Sequence, residues 1–223
     1  MSTQTKVALI RPPSPRLAEG LVTHIDRTPV DVALALQQWA AYVALLQAHG
    51  WTTHEVPAAP DCPDSAFVED TMVVFRDVAV LARPGADERK PEVAAAADAV
   101  RALGYRTVAI AAPGTLDGGD VLKVGDTIYV GRGGRTNVAG IAQLAAVFEP
   151  LGATVVTVPL SKVLHLKSAV TALPDGTVIG YPPAIDDPAI FPRFLPVPEE
   201  SGAHVVLLGD GRLLMAADAP RSA

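Results

Sequence analysis

Residues 91–113 read "PEVAAAADAVRALGYRTVAIAAP". An Ala-rich run is broken at Gly104, and a β-branched run then closes on Pro113. Glycine after a helical run is the expected C′ residue, because it enters the left-handed conformation without a Cβ penalty. The stretch therefore predicts helix, glycine, strand. The same order occurs twice more, in "VDVALALQQWAAYVALLQAHGWTTHEVP" (30–57) with Gly50 and Pro57, and in "NVAGIAQLAAVFEPLGATVVTVP" (137–159) with Gly152 and Pro159. In the first of these, Val32, Leu36, Trp39, Val43 and Leu46 fall on one helical face. The glycines recur at about 50 residues, a period that marks modules sharing one core.

Hairpins lie between these units. "MVVFRDVAVLARPG" (72–85) turns at Arg76-Asp77, "VLKVGDTIYVGRGG" (121–134) at Gly125-Asp126, and "AVTALPDGTVIGYPP" (169–183) at Asp175-Gly176. "HVVLLGDGRLLMAADAP" (204–220) turns at Asp210-Gly211. Short apolar runs around Asp/Gly turns are hairpin signals. The repeating unit is thus hairpin, helix, strand. Residues 182–202 carry a degraded copy, with a short helical turn in "DDPAIFPRF" and an extended "LPVPE". The last hairpin, from His204–Leu208 and Arg212–Ala216, is expected without its helix and strand, since a further copy needs on the order of 25–35 residues. Residues 1–223 are expected to form one domain with no linker. An open side in such a ring is expected to lower stability or to be covered by a second copy, as in a homodimer.

Composition narrows the function classes. The chain has 223 residues, 49% of them hydrophobic, enough to bury a full core. A net charge of −6 argues against a nucleic-acid surface. Its 13 Arg against 5 Lys suit planar carboxylate recognition, and codon bias explains the count equally well. One cysteine excludes a disulfide framework and a Cys-rich zinc site. "MSTQTKVALIRPP" holds too short an apolar run for a signal peptide, and no membrane span follows. A cytoplasmic protein without membrane contact is the expectation.

The chemistry-bearing residues stand at the ends of the hairpins: Asp64, Glu69 and Asp70 in "PDSAFVEDTMVV", Arg83 in "LARPG", Asp117 in "TLDGGDVL", Arg135 in "GRTN" and His165 in "LHLKSAVT". Modules closing around an axis would bring these ends together. A guanidinium stays charged and offers a rigid fork of donors, which carboxylates can match. Two arginines suit an α-carboxylate, and a histidine exchanges a proton near neutral pH. The mix fits an arginine-like substrate better than a metal, and neither a metal nor a cofactor is expected. Each piece also has a plainer reading. "DGGD" alone is an ordinary turn, and a histidine on an apolar strand is commonly a satisfied core residue. "GRGGRTN" before a helix could cradle a phosphate but lacks the Gly-Lys-Ser/Thr ending. His24, His49, His54 and His204 have no metal-ligand spacing.

The set "PDSAFVEDTMVV", "LARPG", "TLDGGDVL", "GRTN" and "LHLKSAVT" resembles the dimethylarginine dimethylaminohydrolases, from about Val7 to Ser222. The resemblance implies a pentein fold, an α/β propeller of ββαβ modules around a central polar cavity, with the last module incomplete in this chain. It implies hydrolysis of N-omega-methylated arginine to citrulline and dimethylamine. His165 matches the proton donor and acceptor, and Asp117 the acid that orients it and faces the guanidinium. Glu69 and Asp70 match substrate-binding acids, with Asp70 on the guanidinium. Asp64 matches the ligand of the α-amino group, Arg83 and Arg135 the α-carboxylate clamp, and Leu17 in "SPRLAEG" a lid residue whose backbone contacts the substrate. An arginine deiminase or amidinotransferase resembles the chain only at superfamily level.

The resemblance also implies a cysteine nucleophile near the C-terminus, and no cysteine follows Cys62. Cys62 belongs to another module position and is read as incidental. No hydrolysis is therefore expected from the 223 residues as written. A binding paralogue that performs no chemistry is the reading from a different function class.

Overall fold

The first unit runs from β1 (Val7–Ile10) through helix α1 (Val32–Ala48) to β2 (Thr52–Glu55), which lies parallel to β1. These elements belong to a computed structural model that describes residues 6–209 and 211–223. Next come the hairpin β3 (Met72–Phe75) and β4 (Val78–Leu81), helix α2 (Val93–Ala102), and β5 (Arg106–Ala109), parallel to β4. The pattern repeats in β6 (Val121–Val124), β7 (Thr127–Arg132), α3 (Val138–Phe148) and β8 (Thr154–Pro159). In the fourth unit, β9 (Val170–Ala172) and β10 (Val178–Gly180) form the hairpin. Two 3-10 turns, Pro182–Ala184 and Pro188–Ile190, replace the helix, and β11 (Phe194–Pro196) pairs parallel with β10. A final antiparallel pair, β12 (Val205–Gly209) and β13 (Arg212–Met215), has no third strand among the described residues. The turn expected at Asp210-Gly211 falls partly on Asp210, outside the described residues. Five small sheets among the described residues, the middle three ordered as hairpin, crossover, strand, rather than one continuous parallel sheet, make this an α/β pentein.

The glycines expected to stop the helices do so in the same way three times. Gly50, Gly104 and Gly152 have φ of 79°, 89° and 92°. After each, the next residue's N–H reaches back to the helix: Trp51 to Leu46, Tyr105 to Val100, Ala153 to Phe148. These are Schellman closures, which satisfy helix-end carbonyls and turn the chain toward the returning strand. The starts of α1 and α3 are capped as well. Asp31 accepts from the Leu34 N–H at 3.0 Å, and Asn137 from the Gly140 N–H at 2.8 Å.

Apolar cores fill the spaces between neighbouring units. One joins Val73, Phe75, Val78 and Val80 of the second unit to Val121, Ile128, Val130, Leu144 and Phe148 of the third. A second joins Leu122, Tyr129 and Val158 to Val170, Val178 and Phe191 of the fourth. The fifth hairpin meets the first unit at the Leu208 carbonyl, which accepts from Lys6 Nζ at 3.0 Å and from the Trp51 indole at 3.2 Å. The first helix is the departure from expectation. Of its predicted apolar face only Leu46 is buried, Val32, Trp39 and Val43 are half-buried, and Leu36 is exposed. The sheet beside it has two strands, where the second to fourth units have three. No helix among the described residues is long and apolar enough to cross a membrane.

A Cβ built on Gly104 meets nothing within 4 Å, so replacing that residue tests backbone conformation alone. Gly104→Ala is expected to lower stability by about 1 kcal/mol, because a Cβ is strained in the left-handed region. Gly104→Asn should cost less. An unchanged denaturation midpoint for the alanine variant would contradict the helix-stop reading.

Candidate active site

The two glycines of "LDGGD" are there for space rather than for φ. Asp117 is extended, Gly118–Asp120 forms one 3-10 turn, and β6 follows at once. A Cβ on Gly118 would lie 2.0 Å from the Glu69 carbonyl oxygen. One on Gly119 would lie 2.5 Å from Asp70 Oδ1 and 2.9 Å from His165 Cγ. The turn is thus wedged between the 3-10 turn Val68–Thr71, which carries Glu69 and Asp70, and the segment that carries His165. Gly119 N–H donates to Asp70 Oδ1 at 2.8 Å. Asp117 and Asp120 are fully buried, and Asp70 and His165 nearly so.

Sequence reasoning assigned the orientation of His165 to Asp117, and the structure gives that contact to Asp120. His165 Nδ1 lies 3.3 Å from Asp120 Oδ1, which also accepts the Leu166 N–H at 3.2 Å. Thr136 donates to Asp120 Oδ2 at 2.6 Å, and its hydroxyl oxygen accepts the Asp117 N–H at 3.1 Å. The 3-10 turn separates the two carboxylates. It swings Asp120 onto the His165 side, while Asp117 Oδ1 accepts the Gly85 N–H at 2.8 Å. Asp117 Oδ2 lies 3.6 Å from Arg135 Nη1. Burial, with the nearby charge of Asp70, pushes the Asp117 carboxyl up to about 6 against the Gly85 hydrogen bond. For His165, burial acts to lower the pKa, but the Asp120 hydrogen bond and the charges of Asp70, Asp120 and Asp117 outweigh it and raise the pKa above its ordinary value.

The arginines also differ from expectation. Arg135 is buried beside Asp117. Arg83 is not in that cluster. Its backbone bridges to Leu116, and its guanidinium donates to the Gly114 carbonyl at 3.1 Å. The arginine against Asp70 is Arg89, which the sequence reading missed. It donates to Asp70 and pairs with Glu92 at 2.7 Å. Glu69 points to the side, paired with Lys167 at 2.6 Å. That pair opens on a cavity of about 330 Å³ lined by Val7, Met72, Val121 and Lys123. The buried cluster does not line this cavity. Asp64 Oδ2 accepts the Leu21 N–H at 3.0 Å and so holds the segment after Leu17, whose own carbonyl accepts the Gly20 N–H at 3.1 Å. The seven convergent residues expected from sequence therefore divide. Asp70, Asp117, Arg135 and His165 meet; Asp64 and Glu69 flank them; Arg83 lies apart.

Three side-chain atoms in the cluster are buried without a hydrogen-bond partner: Asp117 Oδ2, Arg135 Nη1 and His165 Nε2. His165 Nε2 lies 3.8 Å from Asp70 Oδ2. Buried polar atoms are ordinarily satisfied, and exceptions concentrate at functional sites. An acceptor, a donor and a titrating nitrogen left free together can hold a polar ligand with both cationic and anionic ends, and His165 can move a proton on it.

The ββαβ ring and this buried acid–histidine–arginine centre define a pentein of the guanidine-handling class. No protein-family model matches the chain. It is 69% identical over 219 residues to the N(G),N(G)-dimethylarginine dimethylaminohydrolase of Streptomyces coelicolor, covering 98% of this chain and 85% of that protein. It is 33% identical over 223 residues to the enzyme of the same name from Pseudomonas aeruginosa, covering 97% of this chain and 86% of that one. The chain belongs to the dimethylarginine dimethylaminohydrolase family. A solved Pseudomonas aeruginosa variant complexed with citrulline superimposes with a TM-score of 0.90 at 32% identity, covering 98% of this chain and 87% of that one. The N-terminal domain of a cyanobacterial arginine dihydrolase matches with a TM-score of 0.81 at 20% identity, over 93% of this chain and 82% of that one, and so shares the fold.

The Asp117 shift has a measurable sign. A carboxyl raised from 3.8 to about 6 by folding favours its protonated form. Its contribution to stability is present below about 4 and lost as pH rises through about 6. The raised His165 pKa adds a loss of the same sign. Asp117→Asn is expected to be more stable than the parent by on the order of 1–3 kcal/mol above about pH 7, with little difference below about pH 4. Thermal melts at both ends of that range check it. A variant less stable at both would contradict the strained-carboxylate account.

Proposed function

We propose that the protein acts on the guanidino group of N-omega-methylated arginine, taking dimethylarginine and water to citrulline and dimethylamine. The observation that carries this reading is a trio of buried atoms without a hydrogen bond, Asp117 Oδ2 and Arg135 Nη1, 3.6 Å apart, and His165 Nε2, 3.8 Å from Asp70 Oδ2. A guanidinium is a planar cation rich in N–H donors. Asp70 and Asp117 supply acceptors for it, and burial makes such pairing strong. Arg135 suits a carboxylate at the other end of the ligand. Asp64 and the Leu17 backbone are assigned to its α-amino group, and Glu69 to holding the Asp70 turn against Lys167. Asp120 favours a proton on His165 Nδ1, which leaves Nε2 as the nitrogen that protonates the leaving amine and deprotonates water.

Family resemblance implies a thiolate as the attacking group. Cys62, the one cysteine in the sequence, does not suit that task. Burial raises its pKa and keeps the thiol protonated, and its charged neighbours are Glu92, Arg11, Asp61 and Arg89. Binding of the same ligands without turnover is the second reading, which the release assay separates. The partner on either reading is a small amino-acid derivative, with no nucleic acid, membrane, metal or cofactor, acting in the cytoplasm. Pairing of two copies across the exposed Leu207 and Leu213 of the fifth hairpin is part of the same proposal.

The test is a calorimetric titration of dimethylarginine, arginine and citrulline, with citrulline release followed in parallel. Dimethylarginine is expected to bind saturably, and Asp70→Asn should weaken it at least tenfold, ~1.4 kcal/mol. Preference for unmethylated arginine would favour the deiminase reading. Citrulline release that disappears in His165→Ala assigns turnover, and binding without release supports the second reading. No saturable binding of any of the three ligands would overturn the proposal.

A further inference from the structure

The stretch "GRGGRTN" (131–137) has the composition of a phosphate cradle. In the structure its last residues turn onto the run that leads into "LDGGD". Asn137 Nδ2 donates to the Pro113 carbonyl at 2.9 Å, and Asn137 Oδ1 accepts the Thr115 N–H at 3.0 Å. The Asn137 N–H donates to the Thr115 carbonyl at 3.2 Å. These bonds hold residues 113–115 without help from Thr136. Thr136 is fully buried and takes the next amide of the run. Its hydroxyl oxygen accepts the Asp117 N–H at 3.1 Å, and the hydroxyl donates to Asp120 Oδ2 at 2.6 Å.

The direction of that second bond is fixed. A hydroxyl has one proton and two lone pairs, and an amide N–H only donates. The Asp117 N–H therefore occupies one lone pair of Thr136, and the hydroxyl proton needs an acceptor of its own. Among the described residues, the one acceptor that this proton meets is Asp120 Oδ2. A buried donor without an acceptor is costly, so Oδ2 is committed to accepting. Asp120 Oδ1 is committed too, by the Leu166 N–H at 3.2 Å. The proton between Asp120 Oδ1 and His165 Nδ1, 3.3 Å apart, then belongs to the nitrogen. Asp70 pulls the other way, since its Oδ2 lies 3.8 Å from His165 Nε2. That oxygen already accepts from Arg89, which makes it the weaker pull. A neutral imidazole has one proton for its two nitrogens.

We propose that Thr136 is a positioning residue that sets the tautomer of His165. By donating to Oδ2 it holds the Asp120 carboxylate in one orientation with both oxygens accepting, and so keeps the imidazole proton on Nδ1 and Nε2 bare. Thr136 acts through Asp120. Its role rests on the reading of His165 Nε2 as the atom that exchanges a proton with the ligand. With the hydroxyl removed, Oδ2 is released, the carboxylate can rotate away from Nδ1, and Asp70 competes for the proton at Nε2.

Thr136→Val keeps the shape and removes the hydroxyl, whereas Thr136→Ser keeps the hydroxyl. Nitrogen-15 NMR of the His165 ring, at a pH where the ring is neutral, reads which nitrogen carries the proton. Hydrogen exchange of the Nδ1 proton reads how firmly it is held. The parent is expected to show one tautomer, protonated on Nδ1. The valine variant should mix the two tautomers and exchange the Nδ1 proton about tenfold faster or more, and the serine variant should keep the parent's tautomer and exchange within about twofold. A valine variant with the parent's tautomer and exchange, a serine variant that fails as the valine variant does, or a parent protonated on Nε2 would each overturn the role. If the valine variant does not fold, the parent alone decides. Its Thr136 hydroxyl proton should exchange slowly enough to give a resonance of its own, and a freely exchanging hydroxyl would overturn the proposal. Calorimetric titration with dimethylarginine tests the function separately. A parent that binds no ligand but holds the Nδ1 tautomer would refute the function and support the role of Thr136.

Discussion

Asp70, Asp117 and Asp120 are carried into the interior around one histidine, and a buried carboxylate costs several kcal/mol unless donors or cations compensate it. Most of the polar architecture answers that cost. Gly119 N–H and Arg89 meet Asp70, Gly85 N–H meets Asp117, and Thr136, the Leu166 N–H and His165 meet Asp120. These partners come from the second, third and fourth units of the ring, so the polar centre exists only when the units are correctly apposed. The apolar cores between units supply that apposition.

Compensation is incomplete where it matters for chemistry. Asp120 accepts three contacts, and Asp117 accepts one and keeps a free oxygen beside Arg135. The two acids of one "DGGD" turn thereby receive different tasks. Asp120 fixes the imidazole and favours its charged form. Asp117 stays strained, with its carboxyl near 6, and gains most from a cationic ligand. Stability is given up at the site and recovered in the cores, the usual trade in an active centre.

The repeat was legible because its signals are local. Glycine at C′, Asp/Gly turns and alternating apolar runs dictate conformation within a few residues, and Gly50, Gly104 and Gly152 obey them. The site was legible in part. Asp70, Asp117, Arg135 and His165 stand beside turns, where chain ends converge. Arg89 and Glu92 were hidden because "DERKPE" has the composition of a surface segment, and their burial is a tertiary fact. Arg83 attracted attention as the arginine next to a hairpin, yet Gly114 lies close enough to satisfy it. Which aspartate of "LDGGD" meets His165 depends on one 3-10 turn, and spacing alone does not report it.

The central claim is that buried acids hold His165 in a defined tautomer and favour its protonated form. An NMR titration that follows the His165 imidazole in the folded protein tests it most directly. The account predicts a pKa above the ordinary value of about 6.5, a proton retained on Nδ1, and a lower pKa in Asp120→Asn. A His165 pKa at or below the ordinary value, unchanged when Asp120 loses its charge, would contradict the account.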